Sequence, residues 1–166
     1  IDNYGSDSVR YFLLRQIPFG VDGNFAHDDF LTRYNSDLAN GVGNLFQRAI
    51  GLLKNSHDGR IPAMGDSSER DQELEQAALD CIKSYSSHFE KLQFFHAIEA
   101  LQLLIQKGNR YIQEEQPWKL IKIGEEERCG QVMRRALEIS RIAAELLAPI
   151  MPNKSAELLS QLGLTQ

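Results

Sequence analysis

An all-α fold, an antiparallel helical bundle of about five main helices plus a short C-terminal helix, is what the chain predicts, and three features predict it. Apolar residues recur by threes and fours through most of the 166 residues, the spacing that paints one face of a helix. No stretch alternates apolar and polar residues as a half-buried strand does. The breaks between periodic stretches are short and carry proline, glycine or clustered polar residues. A chain of this length can bury one sizeable core.

The first helix is expected from about Ser6, read as its N-cap, to Gln16, with Pro18 as the stop. PFGVDGNFAH then reads as a structured loop. Asp28 or Asp29 is expected to cap a long helix reaching about Asn55, with Leu31, Tyr34, Leu38, Val42, Leu45, Ala49 and Leu52 as its apolar seam. After the polar break HDGRIPAMGDSS, a third helix from about Glu69 carries Leu74, Ala78, Cys81, Tyr85, Phe89 and Leu92 on one face. A fourth carries Phe94, Ile98, Leu101, Ile105, Gly108 and Ile112, where Gly108 weakens the helix but permits a close neighbour. Pro117 breaks that pattern. The fifth helix, from about Glu125 to Ala148, buries Cys129, Val132, Ala136, Ile139, Ala143 and Leu146, and a short amphipathic helix with Leu158 and Leu162 follows APIMP.

Composition narrows the function classes. Hydrophobic residues make up 42% and charged residues 25%, as in ordinary globular proteins, and no apolar run reaches the ~20 residues of a membrane span. The net charge of −5 argues against a protein that grips DNA or RNA by bulk electrostatics, while leaving room for local readout. Asp66, Glu69, Asp71, Glu73, Glu75 and Asp80 crowd one stretch, read as a solvated helix start favoured by the helix dipole. Cys81 and Cys129 lack paired spacing and lie on apolar seams, so they read as buried reduced thiols of a cytoplasmic protein. The absence of an initiator Met suggests a piece of a longer chain.

Catalytic chemistry is not legible. There is no phosphate-cradling glycine loop, zinc-ligand spacing or nucleophile elbow, and His27, His57, His88 and His96 are scattered. Glu114 and Glu115 are adjacent and so point to different sides of a helix, a poor acid–base pair. Neither a catalytic residue nor a metal site is expected. Periodicity alone stops at a helical bundle.

Three motifs go further. Tyr4 to Arg48, YGSDSVRYFLLRQIPFGVDGNFAHDDFLTRYNSDLANGVGNLFQR, closely resembles the junction of stem-contact region and anticodon-binding domain in methionyl-tRNA synthetases. QEEQPWKL, Gln113 to Leu120, resembles that family's polar-Pro-Trp-Lys turn, and ELLAPIMPNKSAELLSQLG resembles its closing helix. The resemblance implies that 1–29 ends the stem-contact region and 30–166 forms the anticodon-binding bundle. It implies a tRNA(Met) anticodon loop (CAU) as partner, read by Asn40, Asn44 and Arg48, with Trp118 stacking on the first anticodon base and Pro117 fixing the turn. It also implies a parent ligase whose catalytic domain, in cis, uses ATP (with Mg) and methionine. The HIGH-type and KMSKS-type segments of that domain are absent here, so this stretch holds no cofactor and is not expected to be catalytic alone.

The residue types suit the role. Asn40, Asn44 and Arg48 are spaced i, i+4, i+8 beside the apolar seam. Asn offers donor and acceptor together, Arg a rigid fork of donors, and an aromatic at a turn offers a face to an unstacked base. Lys107, Arg110, Lys119 and Lys122 are placed to contact phosphates or simply to stay solvated. Two other readings compete: the same domain of another class I synthetase, and a bundle acting only as a protein-interaction scaffold. The scaffold predicts an exposed apolar patch and no tRNA dependence.

Overall fold

The structure is a computed structural model that describes residues 4–18, 20–56 and 59–164. Within them the chain forms α1 (Gly5–Gln16), α2 (His27–Arg33), a π-helical segment (Tyr34–Gly43), α3 (Asn44–Ser56), α4 (Glu69–Glu90), α5 (Phe94–Glu115), α6 (Pro117–Lys122), α7 (Glu126–Leu147) and α8 (Pro152–Gln161). No strand occurs among the described residues. His57, Phe19 and Asp58 lie outside them.

Four helices make the bundle. Cys81 on α4 meets Ala100 on α5 while Asp71 meets Tyr111, so this pair is antiparallel. Glu115 meets Arg128 and Gly108 meets Ile139, which makes α5 and α7 antiparallel too. Asn44 pairs with Asn109 and Arg48 with Gln113, so α3 and α5 run in the same direction. The order α3, α4, α5, α7 is therefore up-down-up-down. Leu45, Ile98, Leu101, Ile105, Ile112, Met133, Leu147 and Ile150 are among the fully buried side chains. Gly108 is where α3, α5 and α7 approach: a Cβ there would lie 3.1 Å from Ile139 Cγ2 and 3.2 Å from Leu45 Cδ1.

The expected long second helix is a continuous rod, with its pattern changed midway. Through the π segment the backbone bonds i→i+5, as where the Asn44 N–H donates to the Ala39 carbonyl. The wider turn shifts the buried face. Val42, Leu45, Phe46, Ala49 and Leu53 are buried, whereas Leu31, Tyr34, Leu38 and Leu52 of the expected seam are only half-buried.

Capping also departs from expectation. Ser6 lies inside α1 behind Tyr4, and Ala26 rather than an aspartate precedes α2, with Asp28 and Asp29 in its first turn, where they complement the dipole. The clear cap is Ser68, which forms a capping box with Asp71 at the start of α4. Leu92, expected on the α4 seam, sits past the helix end at φ 59°. The Leu92 N–H donates to the Phe89 carbonyl and the Gln93 N–H to that of His88, a Schellman ending in which the left-handed position, usually glycine, is leucine.

α1 is fastened to the rest of the molecule. Asp7 accepts from the Lys154 backbone N–H (2.8 Å) and Asn153 Nδ2 (3.0 Å), capping α8 from outside, and Arg10 donates to the Ile150 and Pro149 carbonyls. Tyr11 Oη donates to Asp37 on the π segment and accepts from Gln102 on α5. Among the described residues no helix is long and apolar enough to cross a membrane.

Candidate nucleic-acid interface

Because α3 and α5 run parallel, residues on them pair in constant register, 65 apart, and the pairs form two polar rungs on one face. The lower rung is Asn44·Asn109 and the upper Arg48·Gln113. Beyond it α5 ends, the chain turns through Gln116 (φ 48°, ψ 56°), and α6 opens on buried Pro117 at its first position. Proline suits that position because its missing N–H has no helical partner there. Trp118 follows, half-buried, with the Arg48 guanidinium carbon 5.5 Å from its ring centroid. That distance is within cation–π reach.

The lower rung has a defined polarity. Asn109 Nδ2 donates to the Gly41 carbonyl (3.1 Å) and the Ile105 carbonyl (3.2 Å). Facing two acceptors with its nitrogen, Asn109 turns its Oδ1 to α3, where Asn44 Nδ2 donates to it at 2.7 Å. Asn44 thereby donates toward the bundle, and its Oδ1 is the acceptor on the other side of the amide. On the upper rung, Arg48 Nη2 donates to Gln113 Oε1 at 3.0 Å. Burial lowers the Arg48 pKa, but a guanidinium remains charged. Its other N–H groups stay in a fixed plane beside Trp118.

The structure thus brings Asn44, Arg48, Pro117 and Trp118 together. Asn40 is exposed one turn earlier, on the π segment. Four residues fall short of a full turn there, so Asn40 is rotated out of the straight stripe that α-helical spacing predicts, and its neighbour Gly41, not Asn40, makes the next contact with α5. Asn109 and Gln113 escaped the sequence reading as partners of this site. Their i, i+4 spacing, ending at the Pro-Trp turn, is the signal that could have found them. Of the nearby cations, Arg110 is held by Glu114 at 2.7 Å, whereas Lys119 and Lys122 are exposed on α6.

Among the described residues, no group of three or more His, Cys, Asp or Glu is arranged to hold a metal. Among the described residues the module is helical, and at the corner where α3, α5 and α6 meet an aromatic ring stands beside hydrogen-bond donors and an acceptor. Comparison with known proteins makes this specific. Residues 61–166 match a family model described as the anticodon binding domain of methionyl tRNA ligase, and residues 1–50 match one described as tRNA synthetases class I (M). The methionine–tRNA ligase of Caldanaerobacter subterraneus subsp. tengcongensis is 37% identical over all of this chain and 26% of its own length. That of Listeria monocytogenes serovar 1/2a is 41% identical over all of this chain and 25% of its own. The free-state crystal structure of Mycobacterium tuberculosis methionyl-tRNA synthetase superposes with a TM-score of 0.92 at 36% identity, covering 96% of this chain and 33% of that one. The chain belongs to the methionyl-tRNA ligase anticodon-binding domain family, and it spans about a quarter of the length of the curated relatives it matches.

Proposed function

We propose that this chain reads the CAU anticodon of tRNA(Met), with Asn44 and Arg48 bonding the first anticodon base while Trp118 stacks on it and Asn40 lies beside its neighbours. One observation carries the reading: the fixed polarity of the rungs. Asn44 offers an acceptor and Arg48 offers donors. The pairing edge of cytosine presents one donor, its exocyclic N4 amine, followed by two acceptors. Uracil presents the opposite at the first two positions, so it would meet Asn44 Oδ1 with an oxygen. A wrong base opposed to a two-point contact costs about 1–3 kcal/mol. Stacking on the ring contributes about 1–3 kcal/mol irrespective of base identity. Pro117 holds the turn that carries the ring.

In this reading residues 1–29 end a stem-contact region, 30–166 form the reading bundle, and the partner domain in cis is the catalytic part of a cytoplasmic ligase that activates methionine with ATP. No residue of this chain is assigned to ATP, magnesium or methionine, because it carries neither the HIGH-type nor the KMSKS-type segment. Exposed apolar side chains such as Met64, Leu79 and Ile82 lie on the α4–α7 side, which leaves the scaffold reading a surface, though not one that explains the polar corner.

Titrating the chain with synthetic anticodon stem-loops tests the proposal, with Trp118, the single tryptophan, as reporter. The CAU loop should bind more tightly than a UAU loop by roughly 5- to 150-fold, the equivalent of 1–3 kcal/mol. Equal affinity for the two, or binding that leaves Trp118 emission untouched, would refute it. Purified chain should show no methionine-dependent pyrophosphate exchange.

A further inference from the structure

Behind the reading corner, the starts of α4 and α7 and the end of α5 share a charged knot. Asp71 is fully buried and accepts from the Ser68 N–H (2.9 Å), Tyr111 Oη (2.6 Å) and both terminal nitrogens of Arg128. Arg128 Nη2 also donates to Glu115 Oε2 at 2.7 Å, and Arg70 approaches the other Glu115 oxygen at 3.5 Å. Glu115 is the last residue of α5, immediately before left-handed Gln116 and three residues before Trp118.

Helix energetics do not account for this arrangement. A carboxylate at the last residue of α5 and a guanidinium in the first turn of α7 both stand at the wrong end of a helix dipole. Buried ion pairs add little stability over apolar packing, and their best-attested use is to fix one arrangement among several. What needs fixing here is the corner. α6 has six residues, too few to hold its own geometry, and its approach is set by a left-handed, non-glycine residue.

We propose that the Asp71–Arg128–Glu115 relay is a positioning device for Trp118, locking the end of α5 so that α6 presents the ring at a fixed height beside Arg48. The use of that position rests on the anticodon reading above; the locking itself does not. Asp71 anchors, Arg128 bridges, and Glu115 transmits to Gln116, Pro117 and Trp118 in covalent succession. These are positioning residues, since none belongs to the rungs.

Glu115→Gln is the direct test, because it removes the corner's charge while leaving the Asp71–Arg128 pair intact. Acrylamide quenching and fluorescence anisotropy of the free chain report Trp118 alone. The expected result is unchanged far-ultraviolet circular dichroism, a quenching constant raised about twofold, lower anisotropy, and CAU stem-loop affinity weakened roughly 3- to 10-fold through lost preorganisation. Arg128→Lys keeps the charge but loses the two-pronged geometry and must move the readings the same way. A folding failure of either variant thus leaves the other decisive. Leu159→Ala, in the core on α8, the helix that follows α7 and lies outside the Asp71–Arg128–Glu115 contacts, is the control for general loosening. The relay is overturned if Glu115→Gln and Arg128→Lys leave Trp118 as in the wild type. It is equally overturned if Leu159→Ala, at a matched loss of melting temperature, moves Trp118 as far. If the wild-type chain ignores the CAU loop, the anticodon reading fails, while quenching in the free chain still decides the relay.

Discussion

Replacing Asn109 by alanine removes three hydrogen bonds, two to the Gly41 and Ile105 carbonyls and one from Asn44. Each such bond contributes about 0.5–1.5 kcal/mol net. Asn44 and Gly41 are half-exposed, so water replaces part of the loss, and the expected destabilisation is about 1–3 kcal/mol. For a domain of this size that lowers Tm by roughly 2–10 °C. The more telling effect is on specificity. Without Asn109 Oδ1, nothing holds the Asn44 nitrogen toward the bundle, and the amide can turn to offer N–H to uracil O4. Discrimination between CAU and UAU stem-loops should fall by about 1 kcal/mol, close to 5-fold, chiefly because UAU binds better. The assay is titration of both loops against wild type, Asn109→Ala, Asn44→Ala and the double variant, well below the lowest Tm. In the Asn44→Ala background, Asn109→Ala should leave the CAU/UAU ratio alone. An unchanged ratio in the single variant, or an equal change in both backgrounds, would refute the orienting role.

Arg48→Ala should cost about 1–3 kcal/mol with CAU and far less with UAU, while Lys119→Ala, a flexible point charge, should weaken both alike; loop titrations at two salt concentrations separate the cases. Leu92→Gly should stabilise the chain by about 0.5–1 kcal/mol, seen as a higher Tm, because glycine takes the left-handed position freely and Leu92 buries little. Burial alone would raise the Asp71 carboxyl, but hydrogen bonds from Arg128, Tyr111 and the Ser68 N–H outweigh it and hold the group well below the usual carboxylate range. Its stabilising contribution is therefore complete above the unfolded carboxylate pKa of about 3.9 and lost as pH falls below it. Thermal melts should show the gap between wild type and Asp71→Asn narrowing in acid. Burial pushes the Cys81 thiol up to about 11, so alkylation of Cys81 in the folded chain at neutral pH should be slow and should accelerate on unfolding.

The long helices were legible because each leaves a local trace, whereas six-residue α6, read as a turn at Pro117, was not. The Leu74–Tyr85 and Ile98–Ile112 seams are written at fixed spacing, and Pro117 and the APIMP segment mark where the pattern must stop. Features made by residues distant in sequence were not. Asp71 has the look of one acid among many at a helix start, yet it is fully buried because Arg128, 57 residues away, meets it there. The π segment was hidden for another reason. Its composition is ordinary, and the residues it bonds, Tyr11 on α1 and Asn109 on α5, lie far away in sequence. At the reading face, Asn44, Arg48 and Trp118 came from resemblance, while the polarity that gives Asn44 a preference needed Asn109 beside it.

Gly108, next to Asn109, makes the separation of α3 and α5 a shared setting for both polar rungs. A methyl at that position would press on Leu45 of α3 and Ile139 of α7 at once, so α3 and α7 must both give way, by a few tenths of an ångström, to accommodate it. A side-chain substitution at Asn44, Arg48, Asn109 or Gln113 acts on one rung at a time. A change at residue 108 has no such selectivity: it acts on the seat of both rungs while leaving every rung side chain in place.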